Sequence, residues 1–130
     1  MKELFQGITN RFTGSALASA LSGGLHLAKA PPNTPYPYAV YFMVSGKPEW
    51  TFTEDMENVL LQFSIFDSDL SALGICDLYA KLDALYHDCD LAVTGYDCLY
   101  MLREFQQLQR DEEEAVWQYN TQFQIMLEKL

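Results

Sequence analysis

Between Val116 and Glu128 the residues fall into two alternating sets. Trp117, Tyr119, Thr121, Phe123, Ile125 and Leu127 fall in one set, and Gln118, Asn120, Gln122 and Gln124 in the other. Successive side chains of a strand point to opposite faces, whereas helical spacing would scatter the same residues around a cylinder. The segment is therefore a strand with one face buried and one open. That is the habit of an antiparallel sheet rather than of a parallel sheet covered on both sides. The fold must supply neighbouring strands and a layer to cover the apolar face.

The remaining chain offers both. Asn58–Phe66 places Val59, Leu61, Phe63 and Ile65 on one face, with Asn58, Gln62 and Ser64 among the other set. Leu60 and Phe66 interrupt this alternation, so the second face is expected to be partly covered. Tyr38–Ser45 is a β-branched and aromatic strand. Gly46-Lys47-Pro48 reads as a turn, and Glu49–Thr53 as a short edge strand. Tyr96–Gln107 reads as a strand, although Arg103 to Arg110 suits a helix equally well by propensity. Asp111-Glu112-Glu113-Glu114 forms the charged tip of a closing hairpin with Val116–Glu128.

Helices come from two regions. Leu4, Phe5, Ile8 and Phe12 follow helical spacing. Gly14 then weakens the helix, and Thr13 or Ser15 can cap a second piece carrying Leu17 and Leu21. Gly23-Gly24 ends it, and Leu25–Ala28 is a short strand. Four prolines make the stretch from Ala30 to Pro37 an extended connector. Asp67-Ser68-Asp69 offers N-cap side chains to a helix running to about His87, with Ile75, Leu78, Tyr79, Leu82, Leu85 and Tyr86 on its inner face. These elements predict one α+β domain over residues 1–130. Its sheet is mostly antiparallel, of about four to five strands, with helices packed on one face.

Composition narrows the functional classes. The 130-residue chain suffices for an independent core. Its longest apolar runs fall well short of the ~20 residues that span a bilayer. The start, Met1-Lys2-Glu3-Leu4, has no apolar signal region, and a soluble, intracellular protein is expected. Eighteen acidic residues against eight basic ones give a net charge of −10. Nucleic-acid binding draws on clustered Lys and Arg, and here no two are adjacent. The charge serves solubility at the least.

Few residues are arranged for chemistry. Cys76, Cys89 and Cys98 form an odd set without paired-ligand spacing, so a zinc site with His87 and a disulfide framework are both disfavoured. The Asp67-Ser68-Asp69 stretch resembles the start of a calcium loop, but Ala72 and Leu78 stand where glycine and glutamate are needed. Only His26 and His87 could activate a thiol, and no phosphate-binding glycine loop is present. No catalytic, metal or cofactor residue is assigned, and no enzyme activity is expected. The candidate residues are those of a protein interface: Trp50 and Phe52, the tip Asp111, Glu112, Glu113 and Glu114, and Trp117. For Trp117 a place in the core is an equal reading.

The order of these segments resembles the tail terminator, or tail completion, family of long-tailed bacteriophages. The resemblance spans nearly the whole chain. It covers the small-residue N-terminal helix Met1–Leu21, Gly23-Gly24 with a short strand, and the proline-rich run from Ala30 to Tyr41. It continues through Val44-Ser45-Gly46-Lys47-Pro48-Glu49-Trp50-Thr51, the strand leading through Asp67-Ser68 into a helix, and the long final hairpin. The acidic tip and the polar Asp88-Cys89-Asp90 depart from the family pattern. The resemblance implies a ring, commonly of six copies, that caps the tail tube and ends its polymerisation. It also implies tail tube and head–neck connector proteins as partners, with DNA passing through the channel without specific binding. The place implied is the head-proximal end of the virion tail, after assembly in the host cytoplasm.

Overall fold

The computed structural model describes residues 2–130 apart from 51–54, with Trp50 described by its backbone alone. Two helices, α1 (Lys2–Phe12) and α2 (Ala16–Ala20), precede three strands, β1 (Leu25–Leu27), β2 (Tyr38–Trp50) and β3 (Asp55–Asp67). Helix α3 (Leu73–Tyr86) follows, and the chain closes with β4 (Tyr96–Asp111) and β5 (Val116–Lys129). The strands form one sheet in the order β1-β2-β3-β5-β4. Every pairing is antiparallel except β1 with β2. This is the α+β architecture expected, with five strands.

Alternation decides what is buried. In β5, Thr121, Phe123, Ile125 and Leu127 are all fully buried, as are Leu61, Phe63 and Ile65 of β3. The register places Leu61 against Phe123 and Val59 against Ile125, so the two apolar sets share one face. The helices cover that face with Leu4 and Ile8, Leu17 and Leu21, and Ile75, Leu78, Leu82 and Tyr86. At its centre Phe63 stacks on Tyr41 with ring centroids 5.6 Å apart and meets Phe123 edge-on at 5.5 Å. The Tyr86 hydroxyl donates to the Ile8 carbonyl at 2.9 Å, which ties α3 to α1. A buried hydroxyl needs such a partner.

The first helical region folds as its sequence indicates. Gly14 (φ +78°) breaks the helix, and Ser15 caps α2 by accepting from the Ala18 N–H at 3.1 Å. Glycine at position 7 admits the chain closely: a Cβ there would lie 2.5 Å from the Ala92 carbonyl oxygen.

Three expectations are corrected. Gly46-Lys47-Pro48 is no turn, because β2 runs on to Trp50 with Gly46 opposite Val59 and Pro48 opposite Glu57. The irregularity sits earlier, as a bulge between Met43 and Ser45. Among the described residues no strand pairs with the outer side of β2 beyond Tyr41, and an edge is where a sheet tolerates proline. Glu49 and Trp50 therefore belong to β2 rather than to a separate strand, and the rest of that expected strand lies outside the described residues. Asp67-Ser68-Asp69 does not cap α3, which starts at Leu73 after Ala72 without a side-chain cap. Asp67 ends β3 instead and accepts from the Asp69 N–H at 3.3 Å. The strand expected over Tyr96–Gln107 is present, and of the two readings left open for Arg103 to Arg110 it is strand that forms, since pairing with β5 outweighs local propensity.

Candidate protein-interaction surface

The face of the sheet without helices carries the unburied set of each strand. Across its middle, Gln62, Ser64, Gln118, Asn120, Gln122 and Gln109 form a hydrogen-bonded amide network. Ser64 donates to Asn120 Oδ1 at 2.7 Å, Gln118 donates to the same oxygen at 2.8 Å, and Gln122 donates to Gln62 Oε1 at 3.0 Å. These mutual bonds shield Ser64 and Asn120, which are buried although no helix covers them. Toward the hairpin tip the network gives way to aromatic rings. Tyr38 stacks on Phe66 across the strands with centroids 5.1 Å apart, and Tyr36 lies 5.4 Å from Tyr38. Beside them a cleft of about 190 Å³ is lined by Tyr36, Tyr38, Phe66, Asp111, Glu114, Val116 and Gln118.

The tip is built by its first carboxylate. Asp111 Oδ1 accepts from the Glu113 and Glu114 N–H groups at 3.1 and 3.2 Å, which closes the turn. Ala115 (φ +54°) then returns the chain to β5. Trp117 faces the helix side, half-buried against the core, with the Arg110 guanidinium 4.9 Å from its ring centroid. Arg110 also approaches Glu112 at 3.7 Å. The structure thus gathers Asp111, Glu112, Glu113, Glu114 and Trp117 at one end of the sheet, with Trp117 on the opposite face from the cleft. Trp50 pairs with Asp55 through its backbone at the other end, the length of the 13-residue β3 away, about 40 Å. Phe52 lies outside the described residues.

The edges of the sheet are open. Among the described residues, β2 beyond Tyr41 pairs on one side only, and β4 has β5 on one side only. Along β4, Leu99, Leu102, Phe105 and Leu108 are 39–46% exposed. A long apolar edge of this kind is a template for association.

Residues with potential chemistry have structural partners. His87 Nδ1 accepts from the Arg103 N–H at 3.0 Å. His26 Nε2 lies 2.6 Å from the Gly23 carbonyl and, facing an acceptor, carries the proton there. Burial raises both the Cys89 and Cys98 thiols, the latter to about 11, so at neutral pH they stay protonated and are weak nucleophiles. Cys76 is exposed on α3. Among the described residues no group of three or more His, Cys, Asp or Glu side chains converges as a metal site would require. No described helix is long and apolar enough to cross a membrane.

No protein-family model and no curated protein matches the sequence. Solved structures do match its fold. A chain from the virion of a native gene transfer agent (GTA) particle superposes with a TM-score of 0.75 at 12% identity, covering 96% of this chain and 91% of that one. A second solved chain superposes with a TM-score of 0.63, also at 12% identity, covering 97% and 92%. At such identity the likeness is one of fold, and it covers more than nine-tenths of each chain.

Proposed function

We propose that this chain is a structural protein of a phage-like virion, a subunit of a ring that caps the tail tube, ends its polymerisation and joins the tail to the head–neck complex. The observation that carries this reading is the full-length likeness of fold to a chain of a virion particle. The order of sequence segments, which resembles that of tail terminators, supports it independently. The two open sheet edges supply surfaces for heterologous contacts, the kind that close into rings. The role is one of assembly rather than catalysis. Its partners are further copies of itself, the tail tube protein and the connector proteins. DNA passes the acidic surface without sticking, because like charges repel.

Electron microscopy of the purified protein, alone and mixed with tails that lack it, tests the proposal. Rings that decorate the head-proximal end are expected. A species that stays monomeric and never binds tails would refute it. Because each copy carries a charge of −10, ring formation should strengthen with salt or on a basic partner surface. A related connector subunit, such as a stopper or neck protein, fits the same likeness. It differs in binding the portal-side ring instead of the tube. A small-molecule-binding role has one feature in its favour, an open groove of about 620 Å³ lined by Lys2, Phe5, Gln6, Thr9, Asn10, Leu27 and Tyr41. A ligand co-purifying in that groove would favour it.

A further inference from the structure

We infer that the cleft between the aromatic ridge and the hairpin tip is a binding site for one basic side chain, an arginine, presented by a partner protein. The lining of the cleft combines two chemistries. Tyr36, Tyr38 and Phe66 form a graded stack with centroids 5.4 and 5.1 Å apart, and their rings supply the π surface over which a guanidinium lies. Asp111 and Glu114 line the same cleft. The Asp111 turn uses Oδ1 for both backbone N–H groups, which leaves Oδ2 to face other donors. Gln118 completes the floor, and its Oε1 and Nε2 are both engaged within the amide network, so it is held in place.

Size selects the kind of occupant. At about 190 Å³ the cleft is smaller than the ~300–1,000 Å³ typical of small-ligand pockets, and it suits a single side chain projecting from a surface. Charge selects the sign. Among the described residues no Lys or Arg lines the cleft, and the nearby Arg110 turns to the other face, where it covers Trp117 and approaches Glu112. A neighbouring hollow that shares Tyr38, Phe66 and Gln118 contains Lys29, so the cationic residue of this chain lies across the ridge from the carboxylates. Shape favours arginine over lysine, because a planar guanidinium stacks on a ring while its edge meets a carboxylate. The inference deepens the partner-binding role proposed above, and rests on it only in taking the arginine to belong to another protein.

Titrating the isotope-labelled full chain with N-acetylated Gly-Arg-Gly amide, followed by NMR, tests the site. Amide shifts should centre on residues 36, 38, 66, 111, 114 and 118. The citrulline analogue, which is neutral, should bind far more weakly, and the lysine analogue about threefold more weakly. Asp111→Asn with Glu114→Gln should weaken binding about fivefold. Asparagine keeps the Oδ1 that closes the turn, so the tip still folds. Tyr36→Ala, at an exposed position outside the strands, should weaken binding about threefold. Three results would each overturn the inference: shifts spread equally over the other acidic segments, equal binding of the citrulline peptide, or affinity unaltered by Tyr36→Ala. Gel filtration of the same samples separates the two proposals. Rings without peptide binding refute the cleft alone, and peptide binding without rings or tail decoration refutes the terminator role alone.

Discussion

Gly7→Ala sets two effects of known sign against each other. In an isolated helix alanine is about 1 kcal/mol better than glycine, because it restricts the unfolded chain and costs no side-chain entropy. In this protein Gly7 is buried in α1 between the fully buried Leu4 and Ile8. A Cβ would sit 2.5 Å from the Ala92 carbonyl oxygen, and ordinary contact begins near 3.4 Å. The obstacle is backbone, so no rotamer change relieves it. Helix α1 would have to lift by about 1 Å from the 91–93 segment, loosening Leu4 and Ile8 along with it. Overpacking of this kind costs about 1–3 kcal/mol. A rigid obstacle belongs to the upper half of that range, which leaves a net loss of about 1–2 kcal/mol. For a chain of this length each kcal/mol moves Tm by about 4 °C, so a fall of about 4–8 °C is expected by calorimetry. Gly14→Ala is the matched control. Nothing lies within 4 Å of its Cβ, and only the left-handed backbone (φ +78°) opposes it, at about 1 kcal/mol. An unchanged or raised Tm for Gly7→Ala would refute the close docking of α1.

Stability should fall on alkaline titration. Burial raises Cys98 from 9.0 to about 11, and raises Cys89, Tyr41 and Tyr86 as well. The folded state therefore holds protons that the unfolded state releases first. The stabilisation is complete below the unfolded pKa and is lost as pH climbs through the folded one. Tm should decline between about pH 9 and 11, less steeply in Cys98→Val, and a flat profile would contradict the burial of these groups. Thr121 is fully buried, and its hydroxyl donates to the Phe105 carbonyl at 3.0 Å where β4 bulges. Thr121→Val should cost about 1 kcal/mol, read as a lower urea midpoint at constant m; an unshifted midpoint would show that the bond contributes nothing. Asp97 stands directly opposite Glu128, a like-charge pair. Asp97→Asn should stabilise by a few tenths of a kcal/mol at low ionic strength and by nothing measurable near 1 M salt. A gain independent of salt would show that repulsion is not its cause.

Much of the fold was legible because period-two patterning is hard to mistake. Val59 through Ile65 and Trp117 through Leu127 announce their faces, and the register then aligns them as the burial requires. The errors share one cause, local signals overridden by tertiary position. Pro48 reads as a turn until β2 proves to be a free edge at that point. At Arg103 to Arg110 the same override decides between two open readings, because β5 pairs with the segment along its length. The Asp67 carboxylate reads as a helix cap, yet the strand runs one residue further than expected and brings it into a turn. For the candidate surface the acidic tip and Trp117 were visible as residue types. The aromatic cleft was not, because Tyr36, Phe66, Glu114 and Gln118 come from separate segments that only the register unites. One trace was present: Phe66 breaks the polar set of β3, and such an interruption on an open face marks a place where something is covered.

The arrangement of charge limits how copies of this protein can meet. Some of the carboxylates stand at the two ends of the sheet. Asp111–Glu114 occupy one; at the other, desolvation first and then the charges of Glu57, Glu3 and Asp55 raise the pKa of Tyr96, which stands opposite Lys129. Between them the open face is neutral, and its amides bond mainly to one another. Two copies bearing −10 each gain least by bringing their ends together and most by meeting along neutral or apolar surface, such as the exposed leucines of β4. In the proposed ring this leaves the acidic ends free of contacts between copies. Each end then faces either water and counter-ions, as a channel for DNA requires, or a basic partner. The aromatic cleft adjoins only the end formed by the tip, so that end has the means to hold an arginine as well as to attract one. A protein whose acid served solubility alone would need no such wall of rings beside it.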